Sequence, residues 1–375
     1  MKRKRPIRRR IYIKMLRMFR EMGRKHRRNA ETLQAAKVIG PHIVTIGGGT
    51  GLSTLLRGLK KYTENITAIV TVADDGGGSG VLREELGMLP PGDIRNCITA
   101  LANAEPTMIE LMNYRFADGV YKGQSFGNLL LAALNGVCGS FEEAVARTHE
   151  VLAVTGKVLP VTGSNVNLVA EFEDGSSVCG ESKIYLHKKK HQCRITRVHL
   201  EPEGSQALAG AIEAIEQADL ILLGPGSLYT SVIPNLLVNG IAEALMRTSA
   251  PRIYIMNVMT QDGETEGYTA IDHVHALFDH ASGQHVIDTC IYNTAPVSEA
   301  LCRRYSPEGA EPVRVSPEQF EREGIDLYGY PLMQDGTELA RHDPQLLAAA
   351  IMDVFGKKVE RKGIYGAYDT MVRDR

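Results

Sequence analysis

No two of the six cysteines (Cys97, Cys138, Cys179, Cys193, Cys290, Cys302) form a CxxC pair. Their scatter argues against a disulfide framework and against a structural zinc site, and it fits a reducing, cytoplasmic compartment. No apolar stretch is long enough to span a bilayer, and the basic start is not followed by the apolar core of a secretory signal. Catalytic signatures are missing too. Gly163-Ser164-Asn165 is no nucleophile elbow, no HExxH occurs, and His273 and His275, two apart, show no metal spacing among the eleven histidines. With no Ser-His-Asp or Cys-His arrangement to propose, a covalent hydrolase is disfavoured. Trp is absent as well, which excludes little.

What is present is a chain of 375 residues, 43% hydrophobic, long enough to bury a large core. The overall charge of −1 hides an asymmetry. Residues 1–28 carry fourteen Lys or Arg against one acid, Glu21, so the remainder is strongly acidic. That is a basic arm on an acidic body, not a domain with a basic nucleic-acid-binding face. Within the arm, residues 1–37, Ile11, Met15, Met18, Phe19 and Met22 recur at helical spacing. This predicts either a solvated extension or a basic amphipathic helix able to touch an anionic membrane.

From His42 onward, strand and helix patterns alternate. The strand His42–Ile46 opens into Gly47-Gly48-Gly49-Thr50-Gly51, followed by a helix with Leu52, Leu55, Leu56 and Leu59 on one face. The β-branched run Ile66–Val72 leads to Asp74-Asp75-Gly76-Gly77-Gly78-Ser79-Gly80. A third strand, Asp219–Leu223, opens into Gly224-Pro225-Gly226-Ser227, and further strands cover Arg252–Val258 and Val286–Tyr292. Such alternation predicts an α/β fold, a doubly wound Rossmann-like sheet that is mainly parallel. Val161–Ser182, alternating apolar and polar around Asp174-Gly175, predicts a β-hairpin insertion near residues 158–200. The run Lys188-Lys189-Lys190 reads as a solvated loop. The expected organisation is the arm (1–37), one domain (38–358) and a tail (359–375).

Three glycine loops at the carboxyl ends of neighbouring parallel strands describe a crevice for a phosphorylated ligand. Bare glycine lets main-chain amides approach a phosphate, although Gly47–Gly51 lacks a Walker Lys and departs from GxGxxG spacing. Asp74 and Asp75 have three readings: acceptors of ribose hydroxyls, holders of Mg²⁺, or turn caps. Because adjacent residues alternate faces, only one of them should point into the crevice. Asp93, in Pro90-Pro91-Gly92-Asp93, can cap the next helix. Ser227, Tyr229, Thr230 and Ser231 would supply hydroxyls, and Asn128, Asn257 and Gln261 amides that either read a sugar or cap an element end.

Ile46–Gly51, Val72–Gly80, Leu89-Pro-Pro-Gly-Asp-Ile-Arg95, Ser125-Phe-Gly-Asn128 and Gly224–Ser231 together resemble the gluconeogenesis-factor family (YvcK-like), a sister of the 2-phospho-L-lactate transferases (CofD-like). The resemblance runs from about Ile43 to Val354. It implies a Rossmann-like fold in the bacterial cytoplasm, a role in cell shape and envelope growth on gluconeogenic carbon sources, and a UDP-linked amino sugar as ligand. It adds Asp93 and Arg95 in the loop after the acidic strand. It also places Tyr305 and Arg341 on the nucleotide sugar, where Arg341 could pair with a pyrophosphate and Tyr305 stack on a base or sugar. Gly78 stands where the family has a serine, and the arm has no counterpart in short members. The expected function is a nucleotide-sugar-binding regulator, with a protein partner and homo-oligomerisation left open. The rival is a Mg²⁺-dependent transferase of the 2-phospho-L-lactate type with metal at Asp74 or Asp75.

Overall fold

In a computed structural model, residues 40–191, 193–334 and 338–361 are described. The expected membrane-touching arm and most of the expected tail lie outside them. In chain order the elements that position the site are β1 (Ile43–Gly47), α1 (Gly49–Leu59), β2 (Ile66–Val70), α2 (Gly77–Leu86), α3 (Gly92–Leu101), α4 (Phe126–Cys138) and β3 (Lys157–Pro160). After them come β4 (Asn167–Phe172), β5 (Ser177–Cys179), α5 (Glu181–His191), β6 (Ile195–Glu201), β7 (Leu220–Leu223), β8 (Arg252–Ile255), β9 (Thr289–Asn293), β10 (Asp326–Tyr330) and α6 (Pro344–Arg361).

Seven strands pair in the order β10-β9-β8-β7-β1-β2-β3, every pair parallel. Every residue of β1, β2 and β7 is buried, as a sheet covered by helices on both faces requires of its apolar strands. The chain winds outward from β1 through β2 to β3, then restarts at β7 on the other flank. The direction therefore reverses between β1 and β7, the switch point at which such sheets bind ligands. Register pairs Ile43 with both Ile66 and Leu220, so β2, β1 and β7 end side by side, about 5 Å between neighbours.

The insertion is a second sheet, antiparallel, in the order β5-β4-β6. The hairpin around Asp174-Gly175 is β4 and β5; the third strand and α5 were not expected. Buried Arg83 of α2 anchors its entry, donating to Asn165 Oδ1 (2.7 Å), Val166 O (2.6 Å) and Asn167 Oδ1 (2.7 Å). Lys188-Lys189-Lys190 is not a loop but the last turn of α5. Lys188 is buried there, and its Nζ sits 2.5 Å from Glu266 Oε2. The amine escapes the cost of a buried charge because it has a partner. Among the described residues no helix is long and apolar enough to cross a membrane.

Candidate functional site

The first and third glycine loops touch backbone to backbone. A Cβ on Gly51 would lie 2.5 Å from the Pro225 carbonyl oxygen, so only glycine permits this approach. Gly47 lies beside Gly224, and Gly226 beside the Gly48 carbonyl. Fully buried Asn235 joins the same two loops, its Nδ2 donating to Ser231 O (2.8 Å) and Gly47 O (3.3 Å). Asn257 braces the third loop by donating to Gly226 O (2.9 Å). The first-turn N–H groups of α1 and α2 have no partner within their helices. Thr50 and Gly77, at those two ends, are exposed. The result is a cradle with two helix N-termini opening on it, suited to an anion.

The acids divide. Asp74 accepts from Gly76 N (2.8 Å), and burial, more than the neighbouring Asp75 charge, raises its pKa. Asp75 is held by α5 instead. It accepts from Ser182 N (2.9 Å) and so fastens α5 to the second loop. Asp93 does not cap its own helix. It lies within the first turn of α3 and accepts from Gly49 N at 2.6 Å. Burial, reinforced by the Asp74 charge, lifts its pKa from 3.8 to about 6.

Two further carboxylates were missed. Buried Glu264 accepts from Tyr229 N (3.1 Å) and Thr230 Oγ1 (3.0 Å), and burial lifts it to about 7. Glu181, at the start of α5, is raised well above the ordinary value by burial and then by the charges of Asp74, Asp93 and Glu264. Its position after a glycine at a helix start was a usable signal. Glu264, seven residues beyond Asn257 in a loop after β8, offered none. The four acids share one neighbourhood, so a bare diphosphate would be repelled unless protons or a cation neutralise some of them. Their hard oxygen donors fit Mg²⁺.

The expected hydroxyl donors are mostly engaged. Ser227 Oγ donates to Gln261 Oε1 (2.8 Å), Thr230 to Glu264, and the buried Tyr229 hydroxyl meets Tyr268 Oη (2.8 Å). Arg95 is not aimed at the crevice. Its guanidinium donates to Asn96 Oδ1 (2.7 Å), Met112 O (3.2 Å) and Asn113 Oδ1 (3.3 Å). Asn128 is buried in the first turn of α4, its N–H donating to the Ser125 cap and its Oδ1 unpartnered. Gly78 faces Gln124: a Cβ there would meet Gln124 Oε1 at 2.7 Å, so serine would not fit without a shift.

Tyr305 and Arg341 lie at the carboxyl edge of β8 and β9 rather than on the glycine loops. Half-buried Tyr305 packs with Val258, Met259, Leu301 and Ala340, and its hydroxyl accepts from Ala340 N (3.3 Å). Exposed Arg341 lines a cavity of about 310 Å³ with Gln334, His342 and Pro344. His342 lies near the Met256 backbone, one residue before Asn257. Burial lowers its pKa to about 4, so it is neutral at pH 7. The expectation that the histidines show no metal spacing fails: His187 and His191 stand one turn apart on α5, beside Asp174. The helical period, which sets His187 and His191 on one face, and the β4–β5 turn bring together what a count of motifs passed over.

Residues 43–333 match the family model described as 2-phospho-L-lactate transferase CofD. The chain is 55% identical over 313 residues to a protein of Thermoanaerobacterium thermosulfurigenes provisionally named a gluconeogenesis factor, covering 84% of this chain and 96% of that one. It is 47% identical over 315 residues to the gluconeogenesis factor of Bacillus subtilis, covering 84% and 98% respectively. The crystal structure of a UPF0052 family member from Bacillus halodurans superposes with a TM-score of 0.79 at 45% identity, over 83% of this chain and 98% of that one.

Proposed function

The chain belongs to the gluconeogenesis-factor family, within the wider CofD family, and from that premise we propose that it is a nucleotide-sugar-binding regulator. The ligand is a UDP-N-acetylglucosamine-type molecule, and the role is support of cell shape and envelope growth on gluconeogenic carbon. The observation that carries this reading is the contact of the first and third glycine loops at the β1/β7 switch point, with Gly51 against Pro225. There the diphosphate lies across the N-termini of α1 and α2. The sugar and base reach toward the cavity holding Arg341 and the ring of Tyr305. A regulator of this kind acts through a protein partner in the cytoplasm.

A second reading is favoured by the acidic cluster. Asp74 and Asp93 would hold Mg²⁺, which supplies charge neutralisation for a phosphoryl-linked leaving group, in a transferase of the 2-phospho-L-lactate type. This chain's own part in either reading is binding and orientation of the ligand by main-chain N–H groups.

Calorimetry with UDP-N-acetylglucosamine and with GDP, each with and without Mg²⁺, separates the readings. UDP-sugar binding without turnover supports the regulator; GDP binding that requires Mg²⁺ supports the transferase. Arg341→Ala should weaken UDP-sugar binding by more than ~1 kcal/mol, the scale of a charge-assisted hydrogen bond. Unchanged affinity removes Arg341 from the site.

A further inference from the structure

Outside the crevice, one side-chain cluster has the makings of a metal centre. His187 and His191, four residues apart, project from the same face of α5, and their rings stack with centroids 4.3 Å apart. Asp174, from the β4–β5 turn, brings its carboxylate alongside, so that one donor atom from each of the three lies within 4.8 Å of the others.

The carboxylate is oriented. Asp174 Oδ1 accepts from Ser176 N (2.9 Å) and from Ser176 Oγ (2.5 Å). Ser176 Oγ also meets His187 Nε2 at 2.9 Å. Phe172, with its ring centroid 4.6 Å from that of His187, packs against the other side. The Cys193 thiol lies close to the same carboxylate. Hydrogen bonds that fix a carboxylate and an imidazole are the usual outer support of a metal site.

Two imidazoles and a carboxylate are a borderline donor set, and three protein ligands leave a fourth position for water. Tetrahedral bonds of about 2.0–2.1 Å put ligand atoms ~3.3 Å apart, a closure that side-chain rotation can supply. The adjacent lysines do not oppose a cation strongly. Lys188 is paired with Glu266 and Lys189 with Asp262, the charge of exposed Lys190 is screened by solvent, and both histidines lie in the last two turns of α5, the negative end of its dipole.

We propose that Asp174, His187 and His191 bind a zinc-class divalent transition-metal ion that joins the end of α5 to the β4–β5 hairpin. The other end of α5 is fastened by Asp75 through Ser182 N, so the ion steadies the helix that carries Glu181 to the crevice.

The test uses the full chain without a polyhistidine tag, stripped with EDTA, desalted and titrated with Zn²⁺ by calorimetry. Metal content is measured in parallel by mass spectrometry. Wild type should bind one ion per chain and show a higher thermal midpoint with Zn²⁺ than in EDTA. Asp174→Asn and His191→Ala should each bind at least ~10-fold more weakly, the lower end of the scale for losing even an outer support of a metal ligand. Their midpoints in EDTA should match wild type, since both side chains are exposed. Wild type that takes up no stoichiometric ion, or variants that bind as wild type does, would overturn the proposal.

Discussion

Asp93 offers the sharpest test of the site's electrostatics, through Asp93→Asn. Its carboxylate stands at the N-terminus of α1 and accepts from Gly49 N at 2.6 Å, an arrangement that by itself favours the anion. Burial outweighs that help and lifts the pKa from 3.8 to about 6, worth ~3 kcal/mol. Between pH 4 and 6 the folded protein therefore keeps a proton that the unfolded chain has released. Stability falls as pH rises through that window, by up to ~1.4 kcal/mol per pH unit. The asparagine carbonyl can still accept from Gly49 N, but it does not titrate. Urea unfolding followed by circular dichroism, which needs no Trp, should show a wild-type profile that declines from pH 4 to 6. The variant lacks that part of the decline and is more stable at pH 7.5, by up to ~3 kcal/mol. Parallel profiles, or a variant less stable than wild type at pH 7.5, would refute the reasoning.

Three further outcomes follow from packing. Gly51→Ala drives a methyl to 2.5 Å from the Pro225 carbonyl and should cost roughly 1–3 kcal/mol together with nucleotide binding. Gly136→Ala, in α4 with nothing within 4 Å, should instead stabilise by ~0.5–1 kcal/mol, and equal effects in urea melts would refute the contact. Lys188→Met leaves Glu266 without its 2.5 Å partner and should cost about 3 kcal/mol. Lys190→Ala, at an exposed position, should be near neutral in the same melts. Glu264→Ala strips the acceptor from Tyr229 N and Thr230 Oγ1 and should cost about 2 kcal/mol or more, read as a lower urea midpoint at pH 5, where Glu264, raised to about 7, is protonated and its loss relieves no buried charge.

The central sheet was legible because β1, β2 and β7 are short, apolar and followed by glycine, a pattern that depends only on local residues. The crevice followed from it, since adjacent parallel strands place their loops together without further information. What could not be read depends on distant partners. Lys188 looks solvated until Glu266, 78 residues on, is brought beside it. Asp93 looks like a cap for its own helix, yet bonds the start of another. Arg95 matches the family's loop after the acidic strand, but Asn96, Met112 and Asn113 already hold its guanidinium. The strand β10 and the helix α6 went unread, although α6 packs so tightly on α1 that a Cβ on Gly58 would lie 2.0 Å from the Pro344 carbonyl.

The contact of Gly51 with Pro225, locked by Asn235, bears on how a ligand is captured. Two loops fastened main chain to main chain have little freedom left to lose when an anion arrives. Their ordering entropy is settled at folding, so the receptor is already shaped before any encounter. Recognition at this edge should then resemble a key meeting a finished lock, with the main-chain path of both loops the same in free and occupied protein.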